Sequence, residues 1–206
     1  GNHDPNKCKA LFHLPGGAVF WSSKMAVDAD GPAAPDDPRR KTGKELDPGA
    51  GQNGTAFSLP HGRGDLPSEI TPYIVLPGNK EHDSTGPFHP ALSMGDVAVV
   101  IYKDRKTAAI CGDIGPFHKI GEGSIGLHQE LMPAAPDPCR MHRDQATGFC
   151  TRIFDASIDD DVLFFVFPGS AFGDDLELSH LLPDPAGASR LRERAFALFD
   201  QLRGAA

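Results

Sequence analysis

The sequence predicts a mainly β domain with long loops and a single amphipathic helix at its C-terminus. Three observations carry that expectation. The 206 residues include 23 Gly and 19 Pro, about a fifth of the chain, which favours turns over long helices. The large apolar side chains gather in short runs of strand length. Helical spacing of apolar residues is strongest at the C-terminal end. The length suits one domain over 1–206, with a core over about 18–170 and a helix over about 187–203.

Ala18-Val19-Phe20-Trp21 and Met25-Ala26-Val27 are the first strand candidates, followed by Tyr73-Ile74-Val75-Leu76, which Pro77-Gly78 closes. Val97 to Tyr102, the polar turn Lys103-Asp104-Arg105-Lys106 and Thr107 to Cys111 read as a hairpin. Its first strand is apolar on both faces, as in the core of a barrel or sandwich. Ser124 is placed to cap a short helix that runs to Leu131 and ends before Pro133. Val162 to Phe167 is another apolar strand, stopped by Pro168-Gly169. Leu191, Ala195, Leu198, Phe199 and Leu202 share one face of the closing helix, with Arg192, Glu193, Arg194 and Asp200 off it. Pro32 to Gly64 has almost no large apolar side chains and reads as a long excursion. No internal repeat is present.

The formal charge of −8 repels nucleic acid and anionic membrane and attracts cationic ligands. No run approaches the roughly 18 apolar residues of a membrane span, and the Gly1-Asn2 start reads as a mature or trimmed form of a soluble protein. Cys8, Cys111, Cys139 and Cys150 form no C-x-x-C pair. Cys139 with Cys150 is the preferred bridge, closing a short polar loop. Cys111 lies in an apolar run and is equally well a buried free thiol.

Chemistry concentrates between Gly112 and Gly126, where Asp113 and Glu122 stand nine positions apart among glycines. Asp113 is expected to leave the end of a buried strand, and Glu122 to precede a helix. Hydrolysis of a glycosidic bond needs an acid for the leaving oxygen and a second carboxylate for water or the anomeric carbon. Flanking glycines keep both approachable. Turn formation and a helix-start charge would explain the same two residues without catalysis.

A resemblance decides between these readings. Gly112-Asp113-x-Gly115-Pro116, then Ile120-Gly121-Glu122-x-Ser124, then Val166-Phe167-Pro168-Gly169-Ser170, together resemble the fungal-type chitosanases of glycoside hydrolase family 75. Asp28-Ala29-Asp30-Gly31 and the Tyr73 to Pro77 segment are also similar to that family, so the likeness runs from about Met25 to Ser170. It implies a closed six-stranded barrel of the double-psi kind, endo-hydrolysis of chitosan with inversion, and no cofactor. The family's essential Asp and Glu fall on Asp113 and Glu122. Inversion requires carboxyl groups roughly 6.5–9.5 Å apart. The acid belongs in the drier environment, and Glu122 is the expected acid. Chitosan amines are cationic, so Asp28 and Asp30 are expected to bind them, with His118 and Ser124 as further substrate-binding residues. Asp28-Ala29-Asp30-Gly31 is otherwise an Asx-rich turn, or a calcium loop short of ligands. We expect a secreted monomer acting on a polysaccharide, with no metal, nucleic-acid or membrane partner. The Pro32 to Gly64 excursion has no counterpart in the family pattern.

Other readings are weaker. Gly121-Glu122-Gly123-Ser124-Ile125-Gly126 matches G-x-G-x-x-G, but Glu122 would set a negative charge beside a pyrophosphate. Ser124 lacks the glycine two residues earlier that a nucleophile elbow requires. The nine histidines are scattered and form no H-E-x-x-H. Arg63-Gly64-Asp65 is a tripeptide in the polar excursion. The alternative class is an expansin-like module that binds cell-wall polysaccharide through an aromatic strip without cutting it. One Trp and two Tyr provide poorly for such a strip, although 13 Phe partly compensate.

Overall fold

A computed structural model of the chain describes residues 8–31, 54–78, 88, 91–116, 119–140, 142–143, 145, 150, 152–153, 156–182 and 189–204. The strands are β1 (Cys8–His13), β2 (Val19–Asp28), β3 (Tyr73–Pro77), β4 (Val97–Tyr102), β5 (Arg105–Gly115), β6 (Glu122–Ser124) and β7 (Ser157–Phe167). The helices are α1 (Ile125–Leu131), α2 (Leu178–Leu181) and α3 (Arg190–Gly204). The sheet runs β1-β2-β6-β3-β5-β4-β7, and a β2–β7 pairing closes six of these strands into a barrel. Pairs β2–β6 and β3–β5 are parallel, and the other pairings are antiparallel. This is the closed mainly β barrel with a C-terminal helix that the sequence predicts. β1 is an additional strand, laid against the first half of β2.

Alternation along the strands divides the apolar residues between the barrel interior and its outer wall. Val19, Trp21, Met25, Ile74, Leu76, Ala98, Val100, Ala109, Cys111, Phe164 and Val166 cluster inside. Trp21 is fully buried there, its ring 5.0 Å from that of Phe164 and 5.4 Å from that of Phe88. Burying a side chain of this size contributes about 2–3 kcal/mol. Tyr73, Val75, Val97, Val99, Ile110 and Phe167 face outward, where Leu191, Ala195 and Phe199 of α3 cover part of the wall.

Several elements differ from their expected bounds. The two runs at Ala18 and Met25 belong to one strand, β2, whose pairing with β7 is irregular between Ser23 and Met25. The apolar run Val162–Phe167 is the second half of β7, whose first half is polar. The β4–β5 hairpin turns through Lys103-Asp104, with Tyr102 paired to Arg105 and Lys103 at φ 54°. Ser124 caps α1 as expected, accepting the Leu127 N–H at 3.1 Å. Cys139 and Cys150 are bridged, and Cys111 is a buried free thiol.

Candidate active site

β3 lies between β6 and β5, and Val75 pairs with Glu122 on one side and with Asp113 on the other. Residues in register across neighbouring strands share a face. Strands lie about 4.8 Å apart, so the two acidic residues stand about 10 Å apart at the backbone, on the same outer face.

Asp113 reaches that face through an irregularity in β5. Ile110 belongs to the outer wall and Cys111 to the interior, so strict alternation would return Asp113 to the interior. Instead Ile74 pairs with Cys111 and Val75 with Asp113, leaving Gly112 unpaired. The bulge turns Asp113 outward. Only glycine fits there, because a Cβ on residue 112 would lie 2.6 Å from both Tyr73 Cβ and Leu66 Cδ1. Asp113 therefore lies within a strand that continues to Gly115, and Glu122 lies in β6 as well as directly before α1.

The last part of the expected excursion covers this face. The Ala56 N–H donates to Asp113 Oδ1 at 2.7 Å, and the Phe57 N–H donates to the Gly112 carbonyl at 2.9 Å. Asp113 is 6 % exposed. Burial is the main cause that pushes its carboxyl above the usual range, with the Glu122 and Asp65 charges adding to it and the Ala56 and Ile114 N–H groups opposing it.

Glu122 is 8 % exposed and its Oε1 lies 2.7 Å from Lys119 Nζ. The residue before it, Gly121, has φ 78°, and a Cβ there would lie 2.1 Å from the Lys24 carbonyl oxygen. That close approach lets the Gly121 carbonyl accept from the Ala26 N–H and begin the β2–β6 pairing.

The same pairing brings in β2. Ala26 is the partner of Glu122 and Asp28 the partner of Ser124, which sets Asp28 on the face of the two acids. The Tyr73 hydroxyl, fully buried, lies 3.0 Å from Asp28 Oδ2 and 2.8 Å from the Asp30 carbonyl. The Asp30 N–H donates to Asp28 Oδ1 at 3.2 Å. Asp28 is 8 % exposed; burial first, then the charges of Asp30, Glu122 and Asp113, push its carboxyl up to about 8. Carboxyl oxygens of Asp28, Asp30 and Asp113 lie within 4.8 Å of one another. A trio this close suits either a cation or shared protons. Hydrogen-bond donors reach both oxygens of Asp28 and one of Asp113.

Asp28, Asp30, Asp113 and Glu122 are thus brought together. Ser124 is not presented with them: it is fully buried, and its hydroxyl accepts from the Tyr73 and Leu127 N–H groups and donates to the Thr71 carbonyl. It joins β6, β3 and α1. His118 lies outside the described residues. Tyr73 and Lys119 were not among the expected site residues. Tyr73 is the one hydroxyl-bearing residue of its apolar strand, and Lys119 stands three positions before Glu122, the only local signals that either carries. Behind the cluster the Cys139–Cys150 bridge packs with Ala29 and Ile125, the first between Asp28 and Asp30 and the second at the start of α1.

A family model described as fungal chitosanase of glycosyl hydrolase group 75 matches residues 25–178, about three quarters of the chain. The chain belongs to this family. It is a glycoside hydrolase, a chitosanase. The matched span of the chitosanase contains all four clustered acids, the Gly112 bulge, Tyr73 and Lys119, whereas β1 and α3 lie outside it. No curated protein matches the chain.

Proposed function

We propose that this chitosanase cuts β-1,4 linkages between glucosamine units inside chitosan chains, with inversion, using Asp113 and Glu122 as its carboxyl pair. The observation that carries the proposal is their common register with Val75, which faces both acids the same way across two strand spacings. A backbone separation of about 10 Å leaves room for a sugar linkage and a water molecule between the side chains.

Asp113 is the proposed acid and Glu122 the proposed base, the reverse of the sequence expectation. The acid belongs in the drier environment, and burial raises the Asp113 carboxyl. Glu122 faces the Lys119 ammonium, the arrangement of a carboxylate. Asp113 passes its proton to the glycosidic oxygen as the bond to the anomeric carbon breaks. Glu122 takes a proton from the water whose oxygen bonds that carbon from the other side. Asp30, half-buried beside Asp28, extends the acidic field that attracts cationic sugar amines. No cofactor enters these steps, and we propose a secreted monomer acting on the polysaccharide.

The test compares wild type, Asp113→Asn and Glu122→Gln on chitosan, chitin and cellulose. Reducing ends measure rate, and proton NMR of the first-formed anomer measures stereochemistry. Selective cleavage of chitosan, an inverted anomer and loss of at least about a thousandfold in kcat in both variants are expected. Full activity in either variant would remove that residue from the mechanism. Binding without cleavage by the wild type would leave a silent polysaccharide-binding module.

A further inference from the structure

Asp28 has neighbours of a particular kind. Just past the end of its own strand it meets Asp30; from β3 it faces the Tyr73 hydroxyl, from β5 Asp113 and from β6 Glu122. Asp65 lies beyond, acting on Asp113, and the Lys119 ammonium is bonded to Glu122. Among the described residues, the charges that act most on Asp28 are therefore all negative. An oxygen of Asp28 lies within 4.8 Å of one on Asp113, and both residues are buried. Two buried carboxyl groups at this distance do not both ionise at ordinary cost, and the usual outcome is one proton between them.

We propose that Asp28 and Asp113 hold one proton in common, with Asp28 a positioning residue that keeps a proton available at Asp113 for the leaving oxygen. The inference rests on the reading of Asp113 as the acid. When Asp113 gives its proton to the glycosidic oxygen, the pair passes from one negative charge to two, a state eased by the Tyr73 hydroxyl, which donates to Asp28 Oδ2, and by the Ala56 N–H, which donates to Asp113 Oδ1, until a proton returns. The proton that Glu122 took from water leaves to solvent, and one proton from solvent restores the pair, so each turnover is balanced. Burial and negative neighbours raise both carboxyl groups, which lets the pair keep its proton into neutral solution.

The experiment follows kcat/KM against pH on short glucosamine oligomers for wild type and Asp28→Asn, compared on the same substrate so that titration of the sugar amines cancels. Asp28→Asn keeps the shape and a hydrogen-bonding group but holds no exchangeable acid proton. Its alkaline limb should move down by about one pH unit or more, with kcat reduced about tenfold at the optimum. An unmoved limb in a folded Asp28→Asn protein overturns the pair. If that variant does not fold, difference infrared spectra of the wild type decide. A protonated carboxyl band that persists at neutral pH and disappears near pH 8 supports the pair, and its absence at neutral pH overturns it. Activity in Asp113→Asn would instead sink the reading beneath it, so the two failures are told apart.

Discussion

Gly112 stands unpaired in β5, and that one extra residue turns Asp113 out of the barrel interior onto the face that carries Glu122. The rest of the cluster meets Asp113 there, because Tyr73 and Val75 of β3 face the same way and stand against Asp28 and Glu122.

Gly112→Ala should therefore damage both stability and activity. The new methyl group would lie 2.6 Å from the Tyr73 Cβ and from Leu66 Cδ1, where backbone and side chain must shift to admit it. Overpacking of this kind costs about 1–3 kcal/mol. Urea unfolding reads the first effect, and chitosan cleavage at a temperature where the variant is folded reads the second.

Lys119→Met should separate these two quantities. Lys119 is one third exposed, so loss of its ion pair with Glu122 should change stability by no more than about 1 kcal/mol. Glu122 loses the contact that fixes its carboxylate, and kcat should fall about tenfold with little change in KM. An unchanged kcat would show that β6 alone orients Glu122.

Reduction of the Cys139–Cys150 bridge, or Cys139→Ser with Cys150→Ser, should lower stability by about 2–3 kcal/mol. Because the bridge packs on Ala29 and Ile125, activity should fall before global unfolding. Thermal melts and activity measured with and without reductant check the order of the two losses. Cys111 is buried, and burial raises its thiol, so it should react slowly with alkylating reagents in the folded protein.

Stability should decline between about pH 4 and pH 8. The Asp28 carboxyl is raised from 3.8 to about 8, so the folded state binds its proton more tightly than the unfolded chain does. That stabilisation is fully present below the unfolded value and is lost as pH rises through the folded one. Above about pH 8 the Asp28→Asn protein should melt at a higher temperature than wild type, since it buries no charge at residue 28. Melting curves across this range that stay parallel for the two proteins would contradict the assignment.

Much of this was written in local sequence. Val97 to Cys111 reads as a hairpin because its apolar runs flank a polar turn, and the 15-residue α3 shows an apolar stripe. The two acids were legible only through the glycine-rich motif that surrounds them. β6 was not, since Glu122-Gly123-Ser124 has no apolar alternation and becomes a strand only because β2 and β3 offer partners on both sides. The bulge was equally hidden: strict alternation from Cys111 points Asp113 inward, and the offset appears only in the pairing with β3. Tyr73 reads as one more apolar strand residue until its hydroxyl is seen against Asp28.

The presence of β3 between the acids makes their gap a number of strands rather than a property of a loop. Lengthening or shortening the connection between β5 and β6 would leave that span unchanged for as long as the sheet order holds. A change in reach would have to come from the bulge itself, one residue added or removed, which would swing an acid to the opposite side of the wall instead of moving it by a fraction of an ångström.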